Sequence, residues 1–537
     1  MKLQFFCALL VQGRAGDPRA TNAPVVPALP YAVAASNDAR LQRPKARLPL
    51  AAQSIPRSAR GAVVDMRVKP IYQVLNWHAK AFACSLCTLL FSASTIAHDL
   101  PDVVPTEHDS TSDALAEASA PTQAAPEQVS LHGQFTYVAQ YHPSFESPYS
   151  GANSLYAGGS GKETADVTLY AGARLWRGAE FYINPEIDQG FGLSNTLGVA
   201  GFPSGEAYKV GSSSPYLRVP RLFIRQIFDL GGVTESVESE ANQLAGARAH
   251  DNVMLTIGKF SVVDIFDTNA YAHDPRADLL NWSIIDAGAF DYAADAWGYT
   301  YGAAAEWTTG DWTFRGGFFD LSSVPNGKTV ERNFGEYEVV AEAEERHELG
   351  GHNGKAKLLA FVNRGRMAGY DDAVQLAQET GGVPDVASVR KFASKPGFAV
   401  ILEQELAQDV GAFMRASAND GSKEAYEFTE INRSITGGLS VKGSHWGRTN
   451  DTFGLAAAIN HLSDAAQRYF AAGGLGILIG DGRLPNAGQE RIAETYYAIP
   501  LTEHITITAD YQYVANPAYN RDRGPVSVIG ARLHGEF

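Results

Sequence analysis

The sequence predicts an all-β fold: a 16-stranded antiparallel transmembrane β-barrel with short periplasmic turns and long extracellular loops. Three observations predict it. From Leu131 to Phe537 apolar and polar residues alternate in one segment after another, the period of a strand with a single apolar face. The connections between these segments alternate between short and long, as outer-membrane barrels require. No stretch of the body reaches the ~20 consecutive apolar residues that a spanning helix needs, although 45% of the chain is hydrophobic and 10% aromatic.

The alternation is read strand by strand. "LHGQFTYVAQY" sets Phe135, Tyr137, Ala139 and Tyr141 against His132, Gln134, Thr136 and Gln140. "ADVTLYAGARL" sets Val167, Leu169, Ala171, Ala173 and Leu175 against Asp166, Thr168 and Arg174. "AEFYINPE" sets Phe181 and Ile183 against Glu180, Tyr182, Asn184 and Glu186. "YTYGAAAEW" and "WTFRGGF" are joined at 308–311 by a hairpin with Gly310 in its turn. Strands are expected near 131–141, 165–176, 178–188, 217–229, 252–262, 297–308, 311–321, 334–348, 354–365, 397–406, 409–418, 434–442, 452–461, 490–499, 503–514 and 525–537. One even-numbered gap, 230–251, is long and acidic ("VTESVESEANQ") and does not fit the alternation. The last strand, "SVIGARLHGEF", is as regular as the middle ones. Closing it on the first strand removes both sheet edges, and an aromatic last residue suits recognition by the outer-membrane assembly machinery.

The first part of the chain has a different character. Residues 66–97 carry Arg67, Lys69 and Lys80 ahead of an apolar run, then Thr95 and Ala97 before His98. That is the layout of a secretory signal peptide. Residues 1–65 are rich in Ala, Pro and Arg without any period and are expected to be a non-native upstream extension, with Met66 the start. Residues 98–130 are rich in Pro, Ala, Asp and Glu and are expected to be a disordered acidic periplasmic tail; residues 131–537 form the barrel. Cys7, Cys84 and Cys87 all precede residue 98, so the barrel has no thiol to mispair in an oxidising compartment.

Residues 1–97 hold 12 of the 44 Lys and Arg and 3 of the 59 Asp and Glu, so the rest carries 32 basic and 56 acidic residues, a net charge of −24. Such a body is no nucleic-acid binder, since phosphate contacts need clustered Lys and Arg. No enzyme motif holds either. "GFPSG" misplaces Ser204 for a nucleophile elbow, "GGLGILIGDG" lacks the spacing of a nucleotide loop, and no His pair has metal-ligand spacing. No cofactor or metal is expected.

A charged side chain facing lipid near the midplane costs ~2–4 kcal/mol, so the charged set must face the lumen. It includes Arg174, Glu180, Glu186, Arg221, Arg225, Glu306, Arg315, Glu403, Arg415, Asp510 and Arg532. Each either touches a solute or braces the wall. "PYLRVPRLFIRQ" places Arg221 and Arg225 on one strand face with Arg218 at the strand entry, a ladder suited to a hydroxyl-rich or anionic solute. The Gly-rich loop before it, "GFGLSNTLGVAGFPSGEAYKVG", is the expected constriction. The next long loop carries Asp264, Asp267, Trp282 and Trp297, whose indoles stack on sugar rings, pack locally or sit at the membrane interface.

Several stretches resemble the carbohydrate-selective porins of the OprB type: "LHGQFTYVAQYHPSF", "LYAGARLWRGAEFYINPEIDQGFGLSNTLGVAGFPSGEAYKVG", "GKFSVVDIFDTNAYAHDPRADLLNW", "NDGSKEAYEFTEINRS" and "NPAYNRDRGPVSVIGARLHGEF". The resemblance covers nearly all of 131–537. It implies a sixteen-stranded barrel in the bacterial outer membrane that passes sugars such as glucose by diffusion, through a constriction of Arg, acidic and aromatic residues. Arg221, Arg225 and Glu180 are the leading candidates for that constriction, with Arg174, Glu186, Arg218, Arg315, Asp264 and Trp282 behind them. Expected partners are small sugars, outer-membrane lipid and the barrel-assembly machinery, with a homotrimer by analogy. The competing readings are a barrel enzyme, which would need a Ser/His/Asp set at its rim, and a structural or adhesive barrel with a narrow interior.

Overall fold

A computed structural model describes residues 126–537. The expectations for 1–65 and 66–97, and for nearly all of 98–130, fall outside the described residues. Sixteen strands follow in order: β1 (Val129–His142), β2 (Ser160–Trp176), β3 (Ala179–Gly190), β4 (Ser212–Val237), β5 (Gly246–Phe260), β6 (Thr300–Thr309), β7 (Trp312–Asp320) and β8 (Tyr337–Leu349). Then come β9 (His352–Met367), β10 (Lys391–Ala407), β11 (Val410–Asn419), β12 (Arg433–Lys442), β13 (Thr452–His461), β14 (Glu490–Pro500), β15 (Ile505–Ala515) and β16 (Val526–Glu536). Each pairs antiparallel with its sequence neighbours, and β1 pairs with β16, so the sheet closes into a barrel without an edge. No helix among the described residues is long and apolar enough to cross a membrane.

Closure is a matter of register. Gln134 faces Glu536 and Tyr141 faces Ile529 along the β1–β16 seam. Past the last ladder pair, Gly133 and Phe537 exchange both backbone hydrogen bonds at 2.9 Å. The Phe537 ring lies over Gly133, where any side chain would collide with it. The seam is therefore shaped for an aromatic at this position.

The sequence pattern and the pleat agree. Leu131, Tyr141, Val167, Leu169, Ile187, Leu222, Ile224, Leu455, Ile507 and Ile529 point outward and are exposed, while Thr136, Gln140, Asp166, Thr168, Glu180 and Glu186 point inward and are buried. Aromatic side chains gather at the strand ends, with Trp307, Trp312 and Phe314 stacked near one end and Phe318, Phe334 and Tyr337 near the other, as an interfacial girdle requires.

The gap that broke the alternation is explained by strand extension. β4 and β5 continue beyond the barrel rim to Val237 and from Gly246, with two register shifts between Asp229 and Thr234. Gly231 and Gly232 there adopt φ of 132° and 86°. The acidic stretch is thus a projecting hairpin with a short tip at 238–245, and every even connection lies at the same end as the other short turns.

The lumen is not an empty cylinder. The connection 261–299, with its one-turn helix α1 (Trp282–Ile285), folds inside and buries Phe266, Leu279, Ile284, Phe290 and Tyr292. Parts of 191–211 and 420–432 pack against it. Helices α2 (Tyr370–Thr380) and α3 (Asp464–Ala471) lie in other long connections. An infolded segment without a strand partner must still satisfy its backbone, and the wall does this with side chains. Glu342 accepts from Asp267 N (2.9 Å), Glu403 from Ala270 N (2.8 Å), Glu494 from Leu280 N and Asn281 N (2.5 and 3.0 Å), and Glu338 from Ala293 N (2.8 Å). Arg415 donates to the carbonyls of Asp267, Ala272 and Ile284 and to the Asp267 carboxylate. Arg532 donates to those of Pro275, Ala277 and Asp278.

Arg415 is 1% exposed and Asp267 fully buried. Arg415→Ala leaves that carboxylate unpaired, and breaking such a pair costs about 3–5 kcal/mol. Unfolding of the purified barrel in urea should shift by that amount, and adding Asp267→Asn should restore part of it. Wild-type stability for Arg415→Ala would refute the bracing role.

Candidate functional site

The strand that carries the arginine ladder is irregular. Asn184 faces Arg221 and Glu186 faces Arg218, so β4 spends two residues, Val219 and Pro220, where β3 spends one. This is a β-bulge, a device that re-aims side chains and accommodates proline. Arg218 and Arg221 are three apart and would fall on opposite faces of a regular strand. The bulge turns both into the lumen.

They meet a second set of groups there. Arg221 grips Asp264 with two hydrogen bonds (Nε to Oδ2 2.8 Å, Nη2 to Oδ1 2.6 Å). Asp264 is itself fixed by a capping box with Ser261 at the start of the infolded connection. Arg218 bonds Glu186 and Asp188 on β3. Arg276, from the infolded connection, lies 3.5 Å from Asp166, 3.6 Å from Glu186 and 3.4 Å from Glu206. Three rings complete the group. Arg218 stacks over Tyr208 (4.8 Å) and Tyr299 (5.0 Å), and Arg221 over Tyr299 (5.1 Å). Tyr170 stands on the same inward face of β2 as Asp166 and Thr168.

Three guanidinium groups thus face five carboxylates in one part of the lumen, bounded by β2–β4 on one side and the infolded connection on the other. Burial opposes the Arg276 charge, yet Glu206 and Asp166 hold its pKa above the ordinary arginine value. Burial pushes the Tyr208 and Tyr299 hydroxyls up, so both remain donors at neutral pH. Such a group offers hydrogen-bond donors, acceptors and ring faces with largely compensated charge.

The sequence candidates separate into three places. Arg218, Arg221, Glu186 and Asp264 join this cluster. Arg174, Glu180 and Arg225 sit toward the short-turn end: Arg174 pairs with Glu180 (3.2 Å), and Arg225 donates to the Asn242 carbonyl (2.9 Å) between the rings of Tyr182 and Phe223. Arg315 pairs with Glu306, Glu342 and Glu344 on β6–β8. Trp282 is 6% exposed; it stacks on Phe202 (5.1 Å) and packs on Tyr292 and Phe428, so its face is used inside the protein. Of the arrangements open to this indole, stacking on sugar, local packing or the membrane interface, the structure contains local packing. Asp166, Tyr170, Glu206, Tyr208, Arg276 and Tyr299 were not singled out. The parity of β2 marks Asp166 and Tyr170 as inward residues. Nothing in the sequence shows that the remaining four loop residues return to the same place.

The projecting hairpin bends back under this end of the barrel. Its tip, with Asn242 in the left-handed region (φ 58°), receives a hydrogen bond from Asn184 (2.9 Å), and Ser239 meets His132 (3.0 Å). Leu244 is buried, with its N–H on the Tyr182 hydroxyl (3.2 Å). A cavity of about 470 Å³ adjoins the infolded connection, lined by Arg276 of the cluster and by Asp274, Asp278, Glu405, Lys442 and His534 among others.

A family model described as "Carbohydrate-selective porin, OprB family" matches residues 152–537. No curated protein sequence matches the chain. The high-pH structure of Pseudomonas putida OprB superposes with a TM-score of 0.58 at 15% identity, covering 76% of this chain and 94% of that one. The low-pH structure of the same protein gives 0.41 at 13% identity, covering 76% and 93%. The crystal structure of the outer membrane channel DcaP of Acinetobacter baumannii gives 0.43 at 12%, covering 76% and 97%. The first of these supports the fold; the other two carry no argument.

Replacing 232–245 by a two-residue Asn-Gly turn should raise single-channel conductance while leaving the strand signal in circular dichroism in place. Unchanged conductance would mean that the tip does not obstruct the mouth. Burial and neighbouring Asp274 push the Asp278 carboxyl up to about 6, so it is charged at pH 7.5 and neutral at pH 5. Reversal potentials in a KCl gradient should show stronger cation preference at pH 7.5, and Asp278→Asn should diminish the difference. An Asp278→Asn channel with the wild-type pH response would exclude this carboxyl as its source.

Proposed function

This chain belongs to the OprB family of carbohydrate-selective porins and is a bacterial outer-membrane β-barrel, a channel rather than an enzyme; on that premise we propose that it passes glucose-like sugars by diffusion between the β2–β4 wall and the infolded connection. The observation that carries this reading is the cluster of Arg218, Arg221 and Arg276 with paired carboxylates and three tyrosines. A neutral polyol exchanges its water for such donors and acceptors without leaving a charge uncompensated, and ring faces suit the apolar faces of a sugar. With five carboxylates against three guanidinium groups, the cluster does not favour anions. Weak contacts spread over several sites allow a solute to leave as readily as it enters.

On the same reading residues 66–97 direct export and are removed, residues 98–130 remain as a periplasmic tail, the assembly machinery inserts the barrel, and three copies associate in the membrane.

Liposome swelling tests the proposal. Glucose should enter faster than an amino acid or a dicarboxylate of similar size. Arg221→Ala should reduce that preference by about two- to tenfold, the equivalent of one hydrogen bond worth about 0.5–1.5 kcal/mol. Entry governed by size alone would leave a general porin, and no entry would exclude a diffusion channel.

A further inference from the structure

Arginines that face away from the lumen need a different explanation. On β12–β14 the outward residues run Arg433, Ile435, Gly437, Leu439 on β12, His461, Ile459, Ala457, Leu455 on β13, and Arg491, Ala493, Thr495, Tyr497 on β14. The register sets Arg433 opposite His461, and Arg491 opposite Ile459 one pleat below. Two guanidinium groups and an imidazole therefore share the outward face of three successive strands, at the end that carries the long connections.

Their partners within the protein are few. Among the described residues Arg491 has one side-chain partner, the Gln489 amide (3.2 Å), and Arg433 has none. His461 Nδ1 is buried with no hydrogen-bond partner. The adjacent carboxylate Glu490 points inward and accepts from Ala200, Gly201 and Ala518 N–H groups. Asp464, three residues beyond His461, lies in the first turn of α3, where the helix end favours its charge.

The position along the membrane normal is defined from below. At the short-turn end of these strands Trp446 donates to the Tyr497 hydroxyl (2.9 Å), an aromatic pair of the kind found at an interface. From Phe453 to His461 the strand rises about 26 Å, or about 20 Å along the normal at a tilt of about 40°. That is close to the height of a barrel's apolar band, about 25 Å. Arg433, His461 and Arg491 stand at its outer border, directly above exposed Ile435 and Ile459.

We propose that Arg433, His461 and Arg491 form a binding site for the phosphorylated headgroup of an outer-leaflet glycolipid, whose acyl chains lie on Ile435, Ile459 and Leu455. Guanidinium groups bind phosphate in a fork that suits this geometry, and basic clusters at the headgroup level select anionic lipids. A neighbouring copy would have to bring carboxylates from a different outward face, and the test below separates it from lipid.

The test uses the purified protein in detergent, with bound lipid counted by native mass spectrometry. Lipid A bearing both phosphates, its dephosphorylated form, and inorganic phosphate in large excess are the probes. Wild type should retain phosphorylated lipid A about tenfold better than Arg433→Ala/Arg491→Ala, and better than it retains the dephosphorylated form. Excess inorganic phosphate should not displace it, since the acyl contacts remain. Sugar entry and oligomeric state should be the same in wild type and variant. Equal retention by both proteins, equal retention of the dephosphorylated lipid, or displacement by phosphate alone would each overturn the site. Loss of lipid together with dissociation of an oligomer would instead assign the arginines to a contact between copies.

Discussion

The architecture depends on the hydrogen bonds between inward wall side chains and the backbone of the infolded connection. A closed barrel satisfies its own ladder and leaves nothing over for a segment inside it. The connection at 261–299 makes little regular structure, so its N–H and C=O groups need partners of another kind. Glu338, Glu342, Glu403 and Glu494 supply acceptors, and Arg415 and Arg532 supply forks of donors. A carboxylate that receives two backbone N–H groups, as Glu494 does, is satisfied where a hydrocarbon side chain would leave the loop unbonded. Much of the lumen charge is thus the counterpart of a loop rather than a filter.

This attachment determines where the infolded connection presents its side chains. Wall residues on β8–β12 and β14–β16 hold the connection against one side of the barrel. The connection delivers Asp264, Arg276 and Tyr299 to the part of the lumen beside β2–β4 at fixed positions. The β4 bulge then brings Arg218 and Arg221 to the same place from the wall. One side of the cluster comes from the ladder and the other from a segment that Arg415 and Glu494 on the far wall hold by its backbone.

These relations explain what the sequence disclosed. The strands were legible because lipid demands an apolar residue at every second position, and all sixteen expected segments coincide with observed strands. The projecting hairpin was hidden because beyond the rim both faces of β4 and β5 meet water, and no face has to be apolar; Val233 and Glu235 stand exposed side by side. Arg218 and Arg221 could not be placed together, since an added residue inverts parity and leaves no compositional mark beyond Pro220. Arg276 and Glu206 come from connections, where no period applies. Arg415 and Glu403 read as pore residues because inward charge is the same signal whether its partner is solute or loop.

Charge pairing in the cluster has one further consequence. Arg221 is held by both oxygens of Asp264, and Arg218 by two carboxylates. Each arginine has five N–H groups, so pairing leaves donors free while cancelling most of the local field. An anion entering the cluster would lose hydration and meet an excess of carboxylates over guanidinium groups. A sugar loses only hydrogen bonds to water and finds replacements for them. Holding the guanidinium groups in place beforehand also removes the side-chain ordering that a mobile arginine would require. On the proposed reading, paired charges of this kind favour polyols without binding them tightly, and tight binding would defeat diffusion.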